Sequence, residues 1–382
     1  MGLLTGALPD FPWDTLTPYA ERARAHGRGI VDLSVGTPVD PTPEVVRDAL
    51  VAAADSPGYP QTWGTPALRD AVVRWFARRR GVPDLDPAGV LPTVGSKELV
   101  ALLPALLGLG AGDTVLHPAV AYPTYDVGAR LAGAAAEPCA DPVARLREGR
   151  GDVRLVWLNS PANPHGAVLG ADELADVVAA AREAARRDGR PVVVASDECY
   201  AELAWDGPAA ADGVPSVLDP RVTRGDVRDL LAVYSLSKQS NLAGYRAAFV
   251  AGDPALVGRL LETRKHAGMI VPGPVQAAMV AALDDDAHVT QQRERYRGRR
   301  TVLRSALEDA GYVVDDSVAG LYLWVRPEGG QDCWQTVGDL AGLGILVAPG
   351  SFYGPSGRGH VRVALTASDE AVAEAAARLR GA

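Results

Sequence analysis

Short apolar runs rich in valine, leucine and isoleucine alternate with longer stretches of helical periodicity up to about residue 285. The runs at 114–117, 153–158, 191–195, 230–234 and 246–250 predict strands. None of them alternates apolar with polar positions, which is the pattern of strands covered by helices on both faces. Between them, 67–80 predicts a helix with Thr65 as N-cap, Pro66 at its first position and Gly81 as its stop. Positions 98–109 and 172–187 predict two more. Strand–helix alternation of this kind gives an α/β fold, a mostly parallel central sheet sandwiched by helices. Beyond residue 285 the texture changes. A long, charged helical pattern over 286–310 precedes short strands at 321–325 and 344–347, the stretch His360-Val-Arg362-Val-Ala-Leu and a final alanine-rich helix. This second texture predicts a smaller α+β domain.

At 382 residues, 47% hydrophobic and 22% charged, the chain can bury a large core and suits one large or two coupled domains. Its 38 basic residues against 47 acidic ones give a net charge of −9. That balance argues against nucleic-acid and anionic-membrane partners, both of which attract basic surfaces. The cysteines Cys139, Cys199 and Cys333 show no C-x-x-C spacing. Neither a disulfide framework nor a zinc ribbon is therefore expected, and a reducing cytoplasm is the expected location. The opening residues lack the basic region of a signal peptide. The longest apolar stretch, 99–111, is broken by Pro104 and falls short of the ~20 residues a membrane helix needs. Lysine usage is more informative than any total. Lysine occurs only at Lys97, Lys238 and Lys265, every other Lys/Arg position being arginine. Arginine keeps its proton at any working pH, so a task that needs a free amine falls to one of these three.

Gly108-Leu-Gly-Ala-Gly has the wrong spacing for a dinucleotide loop and follows a helix, so it predicts a helix-ending turn. The six histidines are scattered and no H-x-x-x-H, EF-hand or G-x-S-x-G pattern occurs. Metal hydrolysis and Ser-His-Asp chemistry have no foothold, and no metal is expected. Gly95-Ser96-Lys97 lies between an apolar run and an apolar helix. Backbone N–H groups and a serine hydroxyl at such a helix start can hold a phosphate dianion, although a plain N-cap uses the same residues. Asp197 closes an apolar run, and ligands of parallel sheets bind beyond the carboxyl ends of strands. A carboxylate buried there needs a cation, or serves as a cap or ion-pair partner. Lys238 follows another apolar run, in Tyr234-Ser235-Leu-Ser-Lys238. Desolvation or a cationic neighbour there would lower its pKa from ~10.4 and leave a nucleophilic amine. Ser235 and Arg246, on either side, can add phosphate contacts. A phosphate site, a carboxylate suited to a protonated ring nitrogen and an imine-forming lysine together suit one cofactor, pyridoxal 5'-phosphate. Of the rival amines, Lys97 at a helix start is expected to face solvent and Lys265 to lie on a surface helix.

With these residues in place, the chain resembles, over essentially its full length, the fold-type I, class I/II aminotransferases related to the aspartate aminotransferases. The similar motifs keep the family's order. Val35-Gly36-Thr-Pro resembles the segment that approaches the substrate carboxylate. The run from Tyr59 to Arg69 resembles Y-x4-G-x-P-x-L-R, whose tyrosine reaches the phosphate across a dimer interface. Gly95-Ser96-Lys97 resembles the phosphate-binding turn, and Tyr122 the aromatic that stacks on the pyridine ring. Asn159-Ser-Pro-Ala-Asn163-Pro-His165-Gly resembles N-x-P-x-N-P-x-G, whose second asparagine binds the ring O3′; His165 stands where threonine is usual. Asp197 and Tyr200 match the D-x-x-Y pair for ring N1 and O3′. Ser235, Lys238 and Arg246 match the serine, the imine-forming lysine and the phosphate arginine. Arg362 matches the arginine that forks the substrate α-carboxylate.

The resemblance implies a large cofactor-binding domain over 45–280 and a small discontinuous α+β domain from 1–44 and 281–382 with an N-terminal arm. It implies ping-pong amino transfer between small amino acids and 2-oxo acids. Lys238, Asp197 and Tyr200 would be catalytic, Gly36, Asn163 and Arg362 would bind substrate, and a homodimer would share its sites through Tyr59. Within the family, the stretches 11–16, 32–40 and 264–272 resemble actinobacterial N-succinyldiaminopimelate aminotransferases. The implied pairs are glutamate/2-oxoglutarate and N-succinyl-LL-2,6-diaminopimelate/its keto acid, in lysine and diaminopimelate synthesis. The remote carboxylates of that substrate need donors, for which Arg264, Lys265 and the segment around Ser351 are candidates. A different amino-acid donor, such as acetylated diaminopimelate or acetylornithine, and a C–S lyase reaction are the alternatives on the same scaffold.

Overall fold

The apolar runs become the strands of separate sheets in the computed structural model, which describes residues 8, 9 and 12–381. Near the N-terminus lies a two-residue strand, β1 (Val31–Asp32). The large sheet holds β2 (Val90–Val94), β3 (Thr114–Pro118), β4 (Ala135–Cys139), β5 (Val153–Asn159), β6 (Val193–Asp197), β7 (Leu230–Ser235) and β8 (Ala247–Gly252). Their order is β2-β8-β7-β6-β5-β3-β4, all parallel except β8, which is antiparallel to both neighbours. The small sheet is antiparallel and holds β9 (Tyr312–Asp315) and β10 (Tyr322–Pro327). Beyond β11 (Ile345–Leu346), which pairs with β1, it is completed by β12 (Ala348–Pro349) and β13 (Val361–Ala364), in the order β12-β13-β10-β9.

The absence of polar alternation in the central strands has a direct cause. Leu155 and Trp157 of β5 enter a core with Leu99, Tyr125 and Leu256, from helices on one face of the sheet. Val156 and Leu158 enter another core with Trp75, Leu174 and Phe249 on the opposite face. The side chains still alternate, but both faces are covered. The helix Pro66–Arg79 starts where its cap predicts: Thr65 Oγ1 accepts from Leu68 N–H at 3.2 Å. Gly81, just beyond its end, has φ +65°, open to glycine without strain.

Other boundaries move. The predicted helix 98–109 runs Ser96–Leu106, so Ser96 is its first residue. The strand predicted from 191 runs Val193–Asp197, which makes Asp197 a strand end. The strand predicted from 246 starts one residue later, because Arg246 takes a left-handed φ of 56°. Two edge strands, β2 and β4, were not among the predicted ones. Each carries a proline, and β4 is half-exposed, so neither has the apolar run of a central strand. Phe11 and residues 1–7, which make up most of the stretch read for a signal peptide, lie outside the described residues. Among the described residues, no helix is long and apolar enough to cross a membrane.

The small sheet builds a core of its own, with Leu303, Leu323, Val337 and Val363 joined by Leu16, Val31 and Leu33 from the N-terminal segment. This core also takes in Cys199, Tyr200, Leu203 and Trp205, which follow β6. Trp205 Nε1 donates to Gly320 O at 2.8 Å. The seam between the two sheets therefore passes through the residues immediately beyond Asp197. Glu198 locks the other side of this turn. Its carboxylate meets Arg80 at 2.8 Å, both side chains being 2% exposed, and accepts from Ser216 Oγ and Val217 N–H. Removing one partner of such a pair strands a buried charge. Arg80→Ala is expected to lower stability by about 3–5 kcal/mol, measured as an earlier urea midpoint in tryptophan fluorescence; an unmoved midpoint would show the pair to be neutral.

Candidate active site

The carboxyl ends of β6 and β7 lie beside each other and open onto a cavity of about 510 Å³. The small sheet contributes Tyr322 and Arg362 to its wall, and the segment after β1 contributes Val35, Gly36 and Thr37. Of the residues the sequence singled out, Gly36, Ser96, Lys97, Tyr122, Asn163, Asp197, Tyr200, Ser235, Lys238, Arg246 and Arg362 line this one cavity. Gly95 lies behind the lining, and Tyr59 stands outside it, fully exposed.

Asp197 Oδ2 accepts from Tyr125 Oη at 2.9 Å, and its Oδ1 accepts from Cys199 N–H at 3.2 Å. Burial raises the Asp197 pKa above the ordinary carboxylate value, against the pull of these donors. Such a carboxylate favours a cation or a proton directly in front of it. Burial, then the charge of Asp197, pushes the Tyr125 phenol well above its usual pKa, so Tyr125 stays a donor. Asn159 holds the neighbouring turn: its Oδ1 accepts from Asn163 N–H at 2.8 Å and its Nδ2 donates to Asp197 O at 3.0 Å.

Lys238 sits in the short helical turn Leu236–Gln239, capped by Ser235, whose Oγ accepts from Ser237 N–H at 3.2 Å. Its Nζ donates to the Gly36 carbonyl. Burial pulls the amine below its ordinary pKa; Tyr322 opposes this and Arg362 adds to it. Across the cavity Arg362 is 2% exposed. It donates to Ser34 O at 2.7 Å and to Asn163 Oδ1 at 3.1 Å, and its guanidinium lies 3.9 Å above the centre of the Tyr322 ring. Its Nε is buried with no protein acceptor. At the other end of the cavity, Gly95 has φ +78°, and a Cβ there would lie 2.1 Å from Arg246 Nη2. Only glycine lets that guanidinium stand beside the start of the helix Ser96–Leu106.

Several expectations change. Lys97 is exposed as expected of a helix start, yet it lines the cavity, with Nζ 5.8 Å from the centre of the Tyr122 ring. Arg264 does not serve the remote end of a substrate: it is fully buried and paired with Glu98 at 2.6 Å. Lys265 lies on the surface, paired with Glu262. Around Ser351, Tyr353 approaches the site, its ring backing Arg362 at 5.0 Å. Trp13, Tyr125, Asn159, Cys199, Ser237, Ala243 and Tyr322 also line the cavity and were not among the expected site residues. Tyr125 meets a partner 72 residues away, and no local pattern marks such a pair. A Ser-His-Asp relay does form, with Ser240 Oγ 2.8 Å from His288 Nε2 and His288 Nδ1 2.9 Å from Asp285. Ser240 is fully buried, so the relay ties down the turn after Lys238 and offers no nucleophile. Among the described residues, no group of three or more His, Cys, Asp or Glu could hold a metal.

The donor set fits pyridoxal phosphate: an inward-held amine, a buried carboxylate with its own donors, and a guanidinium packed on a helix start. A model of the aminotransferase class I and II family matches residues 28–379. The chain belongs to that family. It is thus a pyridoxal-phosphate-dependent aminotransferase acting on amino acids and 2-oxo acids. The aminotransferase is 58% identical over 372 residues to a 4-dedimethylamino-4-oxo-anhydrotetracycline transaminase of Streptomyces rimosus, covering 97% of this chain and 99% of the relative. It is 57% identical over 378 residues to the probable aminotransferase Rv1178 of Mycobacterium tuberculosis, with coverage of 99% and 87%. An LL-diaminopimelate aminotransferase of Dehalococcoides mccartyi is 32% identical over 393 residues, with coverage of 97% and 96%. Among solved structures, a Neisseria meningitidis aminotransferase matches with TM-score 0.87 at 31% identity, covering 100% and 99% of the two chains. A probable N-succinyldiaminopimelate aminotransferase of Thermus thermophilus matches with TM-score 0.84 at 29% identity, covering 97% and 100%.

Because Gly95 makes room for the Arg246 guanidinium, Gly95→Ala is expected to displace it and raise the dissociation constant for pyridoxal phosphate about tenfold or more. Fluorescence titration of cofactor-free protein measures this. Unchanged affinity would remove Arg246 from the cofactor site.

Proposed function

We propose that this aminotransferase moves an amino group between glutamate/2-oxoglutarate and N-succinyl-LL-2,6-diaminopimelate/its keto acid. The observation that carries the reading is one cavity holding a desolvated, inward-turned lysine opposite a buried arginine whose Nε has no protein acceptor. When bound, pyridoxal phosphate supplies the sink for the electrons left at the substrate α-carbon. In this proposal Ser96, Ser235 and Arg246, with the helix start behind Gly95, hold the phosphate. Tyr122 covers the ring, Asn163 and Tyr200 bind its 3′ oxygen, and Asp197 keeps a proton at the ring nitrogen. Lys238 would hold the cofactor and, as a neutral amine, would accept the substrate α-proton. Arg362 forks the α-carboxylate, its plane set by Tyr322 and Asn163.

Lys97 is an additional cation at the cavity and is a side chain suited to a remote carboxylate, a role for which the sequence offered Arg264, Lys265 and the segment around Ser351 as candidates. The names of the diaminopimelate relatives support this choice. A second reading is favoured by the Streptomyces rimosus relative, whose name specifies a fused-ring ketone. Trp13, Tyr122 and Tyr322 give the cavity aromatic surface on which such a ketone would pack. Comparing kcat/KM for N-succinyl-diaminopimelate, free diaminopimelate, acetylornithine and common amino acids with 2-oxoglutarate, and for a fused-ring ketone with glutamate, separates them. N-succinyl-diaminopimelate should lead by about tenfold or more. If another donor or the ketone leads instead, the narrow substrate falls and the amino-transfer reading stays. Release of pyruvate or ammonia without a keto-acid acceptor would turn the reading to a lyase.

The same proposal includes a cytoplasmic two-fold dimer. Its support is the full exposure of Tyr59; Val39 and Val51 are also exposed apolar side chains, at 59% and 75%. It also includes the division into 45–280 and 1–44 plus 281–382, supported by the separate core of the small sheet. Tyr59 then serves the partner's phosphate. Mixing Tyr59→Phe with Lys238→Ala protein should yield hybrid dimers with one intact site and activity above the parents' sum. Activity equal to that sum would mean that each chain's site works alone.

A further inference from the structure

Tyr322, on β10, stands where the main groups of the site meet. Its hydroxyl lies 3.2 Å from Tyr200 Oη, and the two rings are tilted by 68°. Its face carries the Arg362 guanidinium at 3.9 Å. Its hydroxyl also presses on Gly36, where a Cβ would come within 2.1 Å of Tyr322 Oη. The Gly36 carbonyl in turn accepts from Lys238 Nζ. One phenol therefore touches the residue assigned to the cofactor oxygen, the residue assigned to the substrate carboxylate and the peptide that holds the lysine. Register explains the meeting. β10 and β13 are antiparallel with Trp324 opposite Arg362 and Tyr322 opposite Ala364, so Tyr322 and Arg362 project from the same face of the small sheet.

The charges around this phenol act in one direction. Burial by itself would raise the Tyr322 pKa, yet Arg362 and Lys238 beside it bring it below the ordinary phenol value. Conversely, burial lowers Lys238, and Tyr322 opposes that fall. Of the other groups around Lys238, Cys199 favours its proton, whereas Arg362 and Arg246 oppose it. On the Tyr200 side, burial first, then Tyr322 and Asp197, oppose ionisation of the phenol, and Arg362 favours it.

We propose that Tyr322 is a positioning residue for amino transfer: its hydroxyl, shared with Tyr200 and seated on Gly36, sets how strongly the Lys238 nitrogen holds its proton, and its ring keeps the Arg362 fork in plane. This rests on the reading of Lys238 as the cofactor-bearing amine. The two contributions separate by substitution. Tyr322→Phe removes the hydroxyl and keeps the ring over Arg362, whereas Tyr322→Leu removes both.

The experiment begins with borohydride reduction and peptide mapping of the loaded enzyme, parent and variants, which should place the label on Lys238. The protonation midpoint of the loaded lysine nitrogen is then read from visible absorbance against pH. That of the free amine is read from the pH dependence of Lys238 acetylation in cofactor-free protein, followed by mass spectrometry. Losing the hydroxyl removes the group that opposes the depression of Lys238, so both midpoints should fall by about half to one pH unit in Tyr322→Phe. The donor KM should stay within about threefold of the parent in that variant and rise roughly tenfold or more in Tyr322→Leu. Replacing Tyr322 by 3-fluorotyrosine keeps the shape and makes the phenol more acidic, so it should raise both midpoints. A purely structural Tyr322 would leave the midpoints in place. Midpoints that coincide with the parent's in both the phenylalanine and fluorotyrosine proteins, with Lys238 still labelled, overturn the role of Tyr322 and leave the site intact. A label on Lys97 or Lys265 overturns the lysine assignment itself.

Discussion

Burying a carboxylate and an amine at neighbouring strand ends is costly, and the rest of the site follows from how the fold offsets that cost. Asp197 ends β6 with two donors of its own, Tyr125 from a helix on one face and Cys199 N–H from the following turn. Lys238 follows β7 in a short turn, its amine is desolvated by burial, and the Gly36 carbonyl accepts from it. Among the described residues, neither group meets a direct counter-ion. Both are left poised, the carboxylate for a positive ring nitrogen and the amine for a carbonyl carbon. A parallel sheet suits this arrangement because its strand ends converge on one edge, with backbone already satisfied by the ladder below.

The second constraint is the seam between the sheets. The residues after Asp197 belong to the core of the small sheet, so the geometry of the carboxylate and the packing of Tyr200 and Trp205 are set together. From the other side, β13 carries Arg362 into the cavity while its partner β10 carries Tyr322 beneath it. The α-carboxylate site and the cofactor site therefore rest on different sheets and meet through three aromatic rings, Tyr200, Tyr322 and Tyr353. Buried anchors around the seam, the Arg80–Glu198 pair and the Ser240–His288–Asp285 relay, hold the two strand-end turns from behind. They lie outside the chemistry and keep its components in register.

What the sequence determined by itself is the set of short-range choices: the apolar runs that must be covered on both faces, the Thr65 cap, the Gly95-Ser96-Lys97 turn at a helix start, and the lysine retained at position 238 where arginine would not serve. Each depends on neighbours within a few residues, so its signal survives in a linear reading. The edge strands β2 and β4 escaped because edges need no continuous apolar run. Long-range partners left no such trace. Tyr125 reads as one more aromatic in a helix until the fold brings it to Asp197, and Tyr322 as a strand residue until antiparallel register places it on the face of Arg362. Arg264 looked available for a substrate until Glu98, 166 residues away, was found against it. Hydrogen bonds and desolvation are fixed by which surfaces finally meet, and only the tertiary structure decides that.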